Sequence, residues 1–238
     1  MNILPAAKSI LCFGDSNTWG QKPDKTGRYP ANARWTGVLQ AALGNDYYII
    51  EEGLSSRTTD LEYSKKPGRN GRAYLEPCLD SHRPLDLVIL MLGTNDLKIE
   101  FNRSAEQIAA AIKGLVGLIQ EKTEQHSASV PILLVSPIHI IDTAPRFAEF
   151  YTGTYDHESA LKSQQLANEI KRVAAETGCE FVDAATVAEP GEDGIHFSEA
   201  SHPALGKLIA EQINRIRIKQ VPISSMMQYP RPDAEGKH

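Results

Sequence analysis

The sequence predicts an α/β fold built as a doubly wound, five-stranded parallel sheet, and three observations carry that prediction. Short continuous apolar runs recur along the chain, segments of helical periodicity separate them, and 238 residues suit one such domain. Strands alternating with helices form right-handed βαβ units. Strands covered on both faces read as unbroken apolar runs, not as strict alternation.

The runs occupy residues 9–13, 47–50, 85–92 and 131–135, with a shorter fifth at 180–182. Residues 34–43 form a short helix candidate ended by Gly44. Ile108, Ile112, Leu115, Val116 and Ile119 repeat at helical spacing behind a capping box. There the Ser104 hydroxyl accepts the third backbone N–H and Gln107 reaches back. Leu161, Leu166, Ile170 and Val173 mark another helix, with Gly178 as the left-handed residue that ends it. Leu205, Leu208, Ile209, Ile213 and Ile216 mark the last, with Ser198 as its N-cap. One domain is expected over residues 1–220. Residues 221–238, rich in Pro, Met and polar residues, form a tail that is extended or packed on a neighbouring subunit.

Composition excludes several classes. A chain 41% hydrophobic and 23% charged is globular in type, neither disordered nor fibrous. The net charge of −5 argues against a nucleic-acid partner. The basic cluster of Lys65, Lys66, Arg69 and Arg72 is broken by Pro67 and Gly68 and reads as a solvated loop. No stretch approaches the roughly 18 apolar residues of a membrane span, and the first residues lack a signal-peptide pattern. Cys12, Cys78 and Cys179 cannot all pair and show no zinc-type spacing. A cytoplasmic protein with no membrane partner is expected.

In an open α/β sheet, ligands bind beyond the carboxyl ends of the strands. The loops that leave those ends carry Gly14, Asp15, Ser16 and Trp19, then Gly53, then Thr94, Asn95 and Asp96, and finally Asp193 and His196. A serine hydroxyl needs a base to become a nucleophile, and imidazole titrates near neutrality. His196 is that base for Ser16, and Asp193, three positions earlier, can fix its tautomer and stabilise the imidazolium. The Ser16 N–H, the Gly53 N–H and the Asn95 amide are candidate donors to a developing oxyanion.

These blocks, Gly-Asp-Ser at 14–16, Gly53, Gly-x-Asn-Asp at 93–96 and Asp-x-x-His at 193–196, resemble the SGNH, or GDSL-type, hydrolase family. They occur in the family's order, over residues 9–218. The resemblance implies a flavodoxin-like three-layer α/β/α fold and a Ser–His–Asp hydrolase. Ser16 is then the nucleophile, Asp193 and His196 complete the triad, and Gly53 and Asn95 complete the oxyanion hole. The stretches at 14–20 and 52–59 look most like the bacterial arylesterase and acyltransferase branch. That branch implies a small-molecule ester substrate, acyl transfer beside hydrolysis, and a homo-oligomer. Asn17 stands where the family's name has Leu, which leaves the catalytic assignment intact.

Other readings stand beside these. Ser16 can be a helix cap and Asp15 a structural acceptor or substrate contact. Trp19 is core or pocket wall. Asp96 anchors a loop by bonding backbone N–H groups. His139 either lines the acyl or alcohol pocket or is a satisfied structural histidine, and Thr94 is a further substrate-contact candidate. His82, His126, His157 and His238 read as surface. Asp193, His196, His202 and Asp15 as metal ligands form a minor alternative, and no cofactor or metal is expected. The aromatic segment 143–157 is a pocket wall, a lid or a subunit contact. The function expected is a serine esterase of small acetyl-like or aryl esters that works through an acyl-enzyme. An O-deacetylase of carbohydrates or metabolites, or a thioesterase, is the variant. A flavodoxin-like binding module is the non-enzyme alternative, and it lacks any Gly-x-Gly-x-x-Gly or Walker signature.

Overall fold

Alternation of side chains along each strand explains why the apolar runs are continuous. In β1 (Lys8–Gly14), Leu11 and Phe13 enter one apolar layer while Ile10 and Cys12 enter the other. The same division holds in β3 (Leu87–Met91) and β4 (Ile132–Ser136). With β2 (Tyr47–Gly53) and β5 (Glu180–Asp183) they form one parallel sheet in the order β2-β1-β3-β4-β5. The computed structural model describes residues 6–125 and 130–216, so the expected tail at 221–238, His126 and His238 lie outside the described residues.

Helices cover both faces. On one side lie α3 (Gly71–His82), α4 (Ala105–Glu124) and α6 (His157–Thr177); on the other α2 (Trp35–Leu43) packs on α7 (Ser201–Arg215). The Ser104–Gln107 capping box begins α4, and Gly178 ends α6 in the left-handed region at φ 70°. Two short helices, α1 (Ser16–Trp19) and α5 (Phe147–Tyr151), sit in loops at the carboxyl edge. No described helix is long and apolar enough to cross a membrane.

The structure corrects several expectations. β2 runs three residues past its apolar run, through Glu51, Glu52 and Gly53, because its ladder with β1 continues to the Gly14–Gly53 pair. As an edge strand it tolerates charge. Helix α3 was not expected, since Leu75, Cys78 and Leu79 alone form its buried face and Pro77 interrupts the pattern. Pro77 sits on the exposed face, where water can satisfy the carbonyl that loses its partner. Ser198 does not cap α7: the flanking residue is Ala200, and the Ser198 carbonyl accepts from the Ser201 N–H at 3.1 Å in a preceding turn. Leu161 is on the solvent side of α6, 40% exposed, and Ile216 falls just past the end of α7.

Candidate active site

Ser16 is placed by a tight turn off β1. A Cβ on Gly14 would lie 2.1 Å from the Thr18 Oγ1 and 2.9 Å from the Met91 carbonyl, so only glycine fits. Asp15 caps α1 by accepting from the Asn17 N–H at 2.9 Å, and Gly20 ends the helix at φ 86°. The end of β2 presses on this turn. A Cβ on Gly53 would meet the Trp19 nitrogen at 2.2 Å.

Asp193 and His196 arrive on the loop after β5. His196 Nε2 lies 2.9 Å from the Ser16 Oγ, across 180 residues of sequence. Its Nδ1 lies 2.6 Å from Asp193 Oδ2. With an ionised carboxylate on that side, Nδ1 carries the ring proton and Nε2 is left to accept from the serine. Asn17 holds the loop in this register. Its Nδ2 donates to the Ile195 carbonyl at 3.2 Å and its Oδ1 accepts from the Phe197 N–H at 2.9 Å, bracketing His196.

The Asp193 carboxylate is saturated with donors. Oδ1 accepts from the Ile195 and His196 N–H groups at 3.0 and 2.9 Å. Oδ2 accepts from His196, from the Tyr151 hydroxyl at 3.1 Å and from Lys25 Nζ at 3.2 Å. Burial alone would raise its pKa, but the His196 and Ile195 donors outweigh burial and hold it well below the usual carboxylate range. Burial lowers the His196 pKa first. Asp193 opposes that, and the charges of Lys25 and Lys98 add to it, so the ring is neutral at neutral pH.

Asn95 follows β3 through Gly93, which turns the chain at φ 126°. Its Oδ1 accepts from Lys98 Nζ and from the Tyr155 hydroxyl, which makes Nδ2 the donor end: one N–H donates to Asp15 Oδ2 at 3.4 Å, and the amide carries a second. Burial pushes Asp15 up to about 6, against the Asn17 N–H and nearby cations. Burial also brings Lys98 down to about 8, although Asp96 and Asp15 oppose it. Asp96 anchors the loop after β2: both its oxygens accept from the Thr59 N–H, at 3.1 and 3.0 Å.

The structure therefore brings together Ser16, Asp193 and His196, with Asn95, Asp15 and Gly53 beside them. Asp15 and Thr94 are 2% and 4% exposed, and Asp15 is held by protein donors, so it braces the Ser16 turn more than it offers itself to a ligand. Trp19 is half-buried, with the Arg28 guanidinium 5.3 Å over its ring. His139 lines a cavity of about 560 Å³ with Ile141, Ala144 and Pro190, and the lining of that cavity does not include Ser16, Asp193 or His196. His202 is apart, since its Nδ1 accepts from the Trp35 N–H at 3.2 Å, and among the described residues it forms no ligand group with Asp15, Asp193 and His196.

Two neighbours of the triad were not tied to Asp193 by the sequence reading: Lys25 was absent from it, and Tyr151 entered only as part of the 143–157 segment. Lys25, at φ 65°, also lies over the Tyr151 ring at 4.2 Å, and no motif marks it. Tyr151 lies in the 143–157 segment, whose Phe147, Tyr151 and Tyr155 are buried in the core. That segment is a wall behind the Asp–His pair, and its aromatics do not form an exposed patch. His82 is half-buried and paired with Glu52 at 2.8 Å, while His157 is exposed beside Asp142.

The GDSL-like lipase/acylhydrolase family profile matches residues 12–204. Among solved structures, the aryl esterase of M. smegmatis is 40% identical, over 88% of this chain and 99% of its own, with a TM-score of 0.81. A carbohydrate acetylesterase from Sinorhizobium meliloti is 39% identical, over 87% and 99%, also at a TM-score of 0.81. A carbohydrate acetylesterase family member from the same organism is 34% identical, over 87% and 98%, at 0.80. No curated protein sequence gives a significant match.

Proposed function

Because the chain belongs to the GDSL-like lipase/acylhydrolase family, we propose that it is a serine esterase that cleaves small acyl esters at Ser16. The observation that carries this reading is the unbroken chain from Ser16 Oγ to His196 Nε2 at 2.9 Å and from His196 Nδ1 to Asp193 Oδ2 at 2.6 Å.

In the proposed reaction, Ser16 Oγ attacks the ester carbonyl carbon as His196 Nε2 takes its proton. Asp193 stabilises the imidazolium through the Nδ1–H. The tetrahedral oxyanion accepts from the N–H groups of Ser16 and Gly53 and from Asn95 Nδ2. Each such donor is worth about 10²–10³ in turnover. Collapse expels the alcohol, which takes the proton from His196, and leaves an acyl-serine that water cleaves by the same steps.

Two neighbours with about 40% identity act on aryl and carbohydrate acetyl esters by their names, which favours a short acyl group and an aryl or sugar leaving group here. O-deacetylation of a carbohydrate is the second reading on the same ground. Acyl transfer to acceptors other than water, a homo-oligomeric state and a cytoplasmic location complete the proposal. The last is supported by the free thiols of Cys12, Cys78 and Cys179, which suit a reducing compartment.

A panel of p-nitrophenyl esters tests this reading. Acetate and butyrate should be cleaved faster than long-chain esters. Ser16→Ala should lose about 10⁴-fold or more in kcat and all labelling by a fluorophosphonate. A Ser16→Ala protein that keeps its hydrolytic rate would remove the serine route.

A further inference from the structure

Among the described residues, Glu52, Cys78 and His82 are the sole trio of His, Cys, Asp or Glu whose ligand atoms lie within 4.8 Å of one another. Cys78 and His82 stand four apart on α3, one above the other on the same face. Glu52 is two residues beyond Ile50 on β2, so it points to the same side of the sheet as that core residue. We propose that these three side chains form a binding site for a zinc-class divalent d-block cation, separate from the Ser16 centre.

The donor set decides the kind of cation. Calcium and magnesium take oxygen ligands, whereas a thiolate with an imidazole and a carboxylate suits zinc and its d-block neighbours. Metal–ligand bonds of about 2.0–2.3 Å place tetrahedral ligand atoms roughly 3.3–3.8 Å apart. The trio is already within about an ångström of that spacing, and His82 Nε2 and Glu52 Oε1, now 2.8 Å apart, need only open slightly. Cys78 is 1% exposed while the His82 and Glu52 side chains are 29% and 19% exposed. The cation therefore approaches from the His–Glu side, and water fills the fourth position. Binding replaces the Cys78 S–H bond by a metal–sulfur bond and releases the proton to solvent. Burial, and then Glu52, push the Cys78 thiol up to about 12 against the charge of Arg57, so the thiol keeps its proton until a cation displaces it. The bound ion would staple the end of edge strand β2 to α3, one residue before Gly53.

Cobalt(II) is the probe, since a cysteinate ligand gives it a charge-transfer band in the near ultraviolet and a tetrahedral site gives intense visible bands. Full-length protein, reduced and stripped with a chelator, should develop both with one equivalent of Co²⁺, and Zn²⁺ should bleach them. Cys78→Ser should abolish the charge-transfer band, while Cys12→Ser and Cys179→Ser keep it. His82→Ala should weaken Co²⁺ binding by at least about tenfold. No band at stoichiometric Co²⁺, or a band that survives Cys78→Ser, would overturn the site. Should Cys78→Ser fail to fold, His82→Ala decides, because an unchanged cobalt affinity there also overturns it. Ester hydrolysis plays no part in these readouts.

Discussion

Lys25 sits 3.2 Å from Asp193 Oδ2 and 3.4 Å from His196 Nδ1, and its charge makes the imidazolium harder to form. The groups that face the ring are Asp193, Lys25, Tyr151 and, through its field, Lys98. Hydrolysis needs neutral His196, so the rate falls as pH drops through its pKa. Removing a nearby cation raises that pKa. Lys25→Met should therefore move the acid limb of the kcat/KM profile to higher pH, by up to about one unit. An acid limb that stays in place would show that Lys25 acts only by packing. Ser16, Asn95, Asp193 and His196 were legible because each carries a type of chemistry at the end of a strand. Lys25, Tyr151 and the bracketing role of Asn17 were not, because a lysine in a loop, a buried tyrosine and an asparagine look alike in any sequence until folding brings them to one carboxylate.

At the level of elements, the site depends on how closely α1 lies against the end of β2. Gly53→Ala places a methyl group where the Trp19 backbone nitrogen already is, so α1 must move and Ser16 with it. The expected result is at least a 10²-fold loss of kcat, with KM changed less, in steady-state assays on a folded protein. On the other face, His202 joins α7 to α2, with the Tyr29 ring edge-on at 4.9 Å. Burial, with Arg34 nearby, lowers its pKa to about 4. An unfolded histidine titrates near 6.5, so between those values the unfolded state holds a proton that the folded state does not. The stability this supplies is complete above pH 6.5 and lost as pH falls through about 4, up to roughly 3 kcal/mol. Urea unfolding of His202→Gln against the parent should show their difference shrinking from pH 7 to pH 4.5. A constant difference would mean that His202 does not titrate differently on folding.

Across the molecule, the strand order sets the site where it is. In the order β2-β1-β3-β4-β5 the chain reverses direction of growth beside β1, and the loops after β1 and β3 open a crevice there. Ser16 and Asn95 leave from those two strands, and the loop after β5 crosses to meet them. The sheet that holds them rests on a core filled from both faces. Leu134, fully buried in β4, packs in the layer with α4 and α6. Leu134→Ala should cost about 2–5 kcal/mol by transfer and cavity terms. In a protein of this size that lowers Tm by roughly 5–15 °C. Thermal unfolding checks it, and a shift under about 2 °C would show that the cavity collapses.

The sequence alone determined the parallel sheet, the order of its five strands along the chain, the capping box of α4, the end of α6 and the identity of the residues at the carboxyl edge. It could do so because periodicity, caps and motif order are local properties of a chain. Tertiary structure alone decided that Pro77 lies inside a helix, that Tyr151 and Lys25 close on Asp193, and that Cys78 and His82 face Glu52. Those outcomes depend on which surfaces meet across dozens of residues, and burial and electrostatics, unlike helical period, exist only once the surfaces have met.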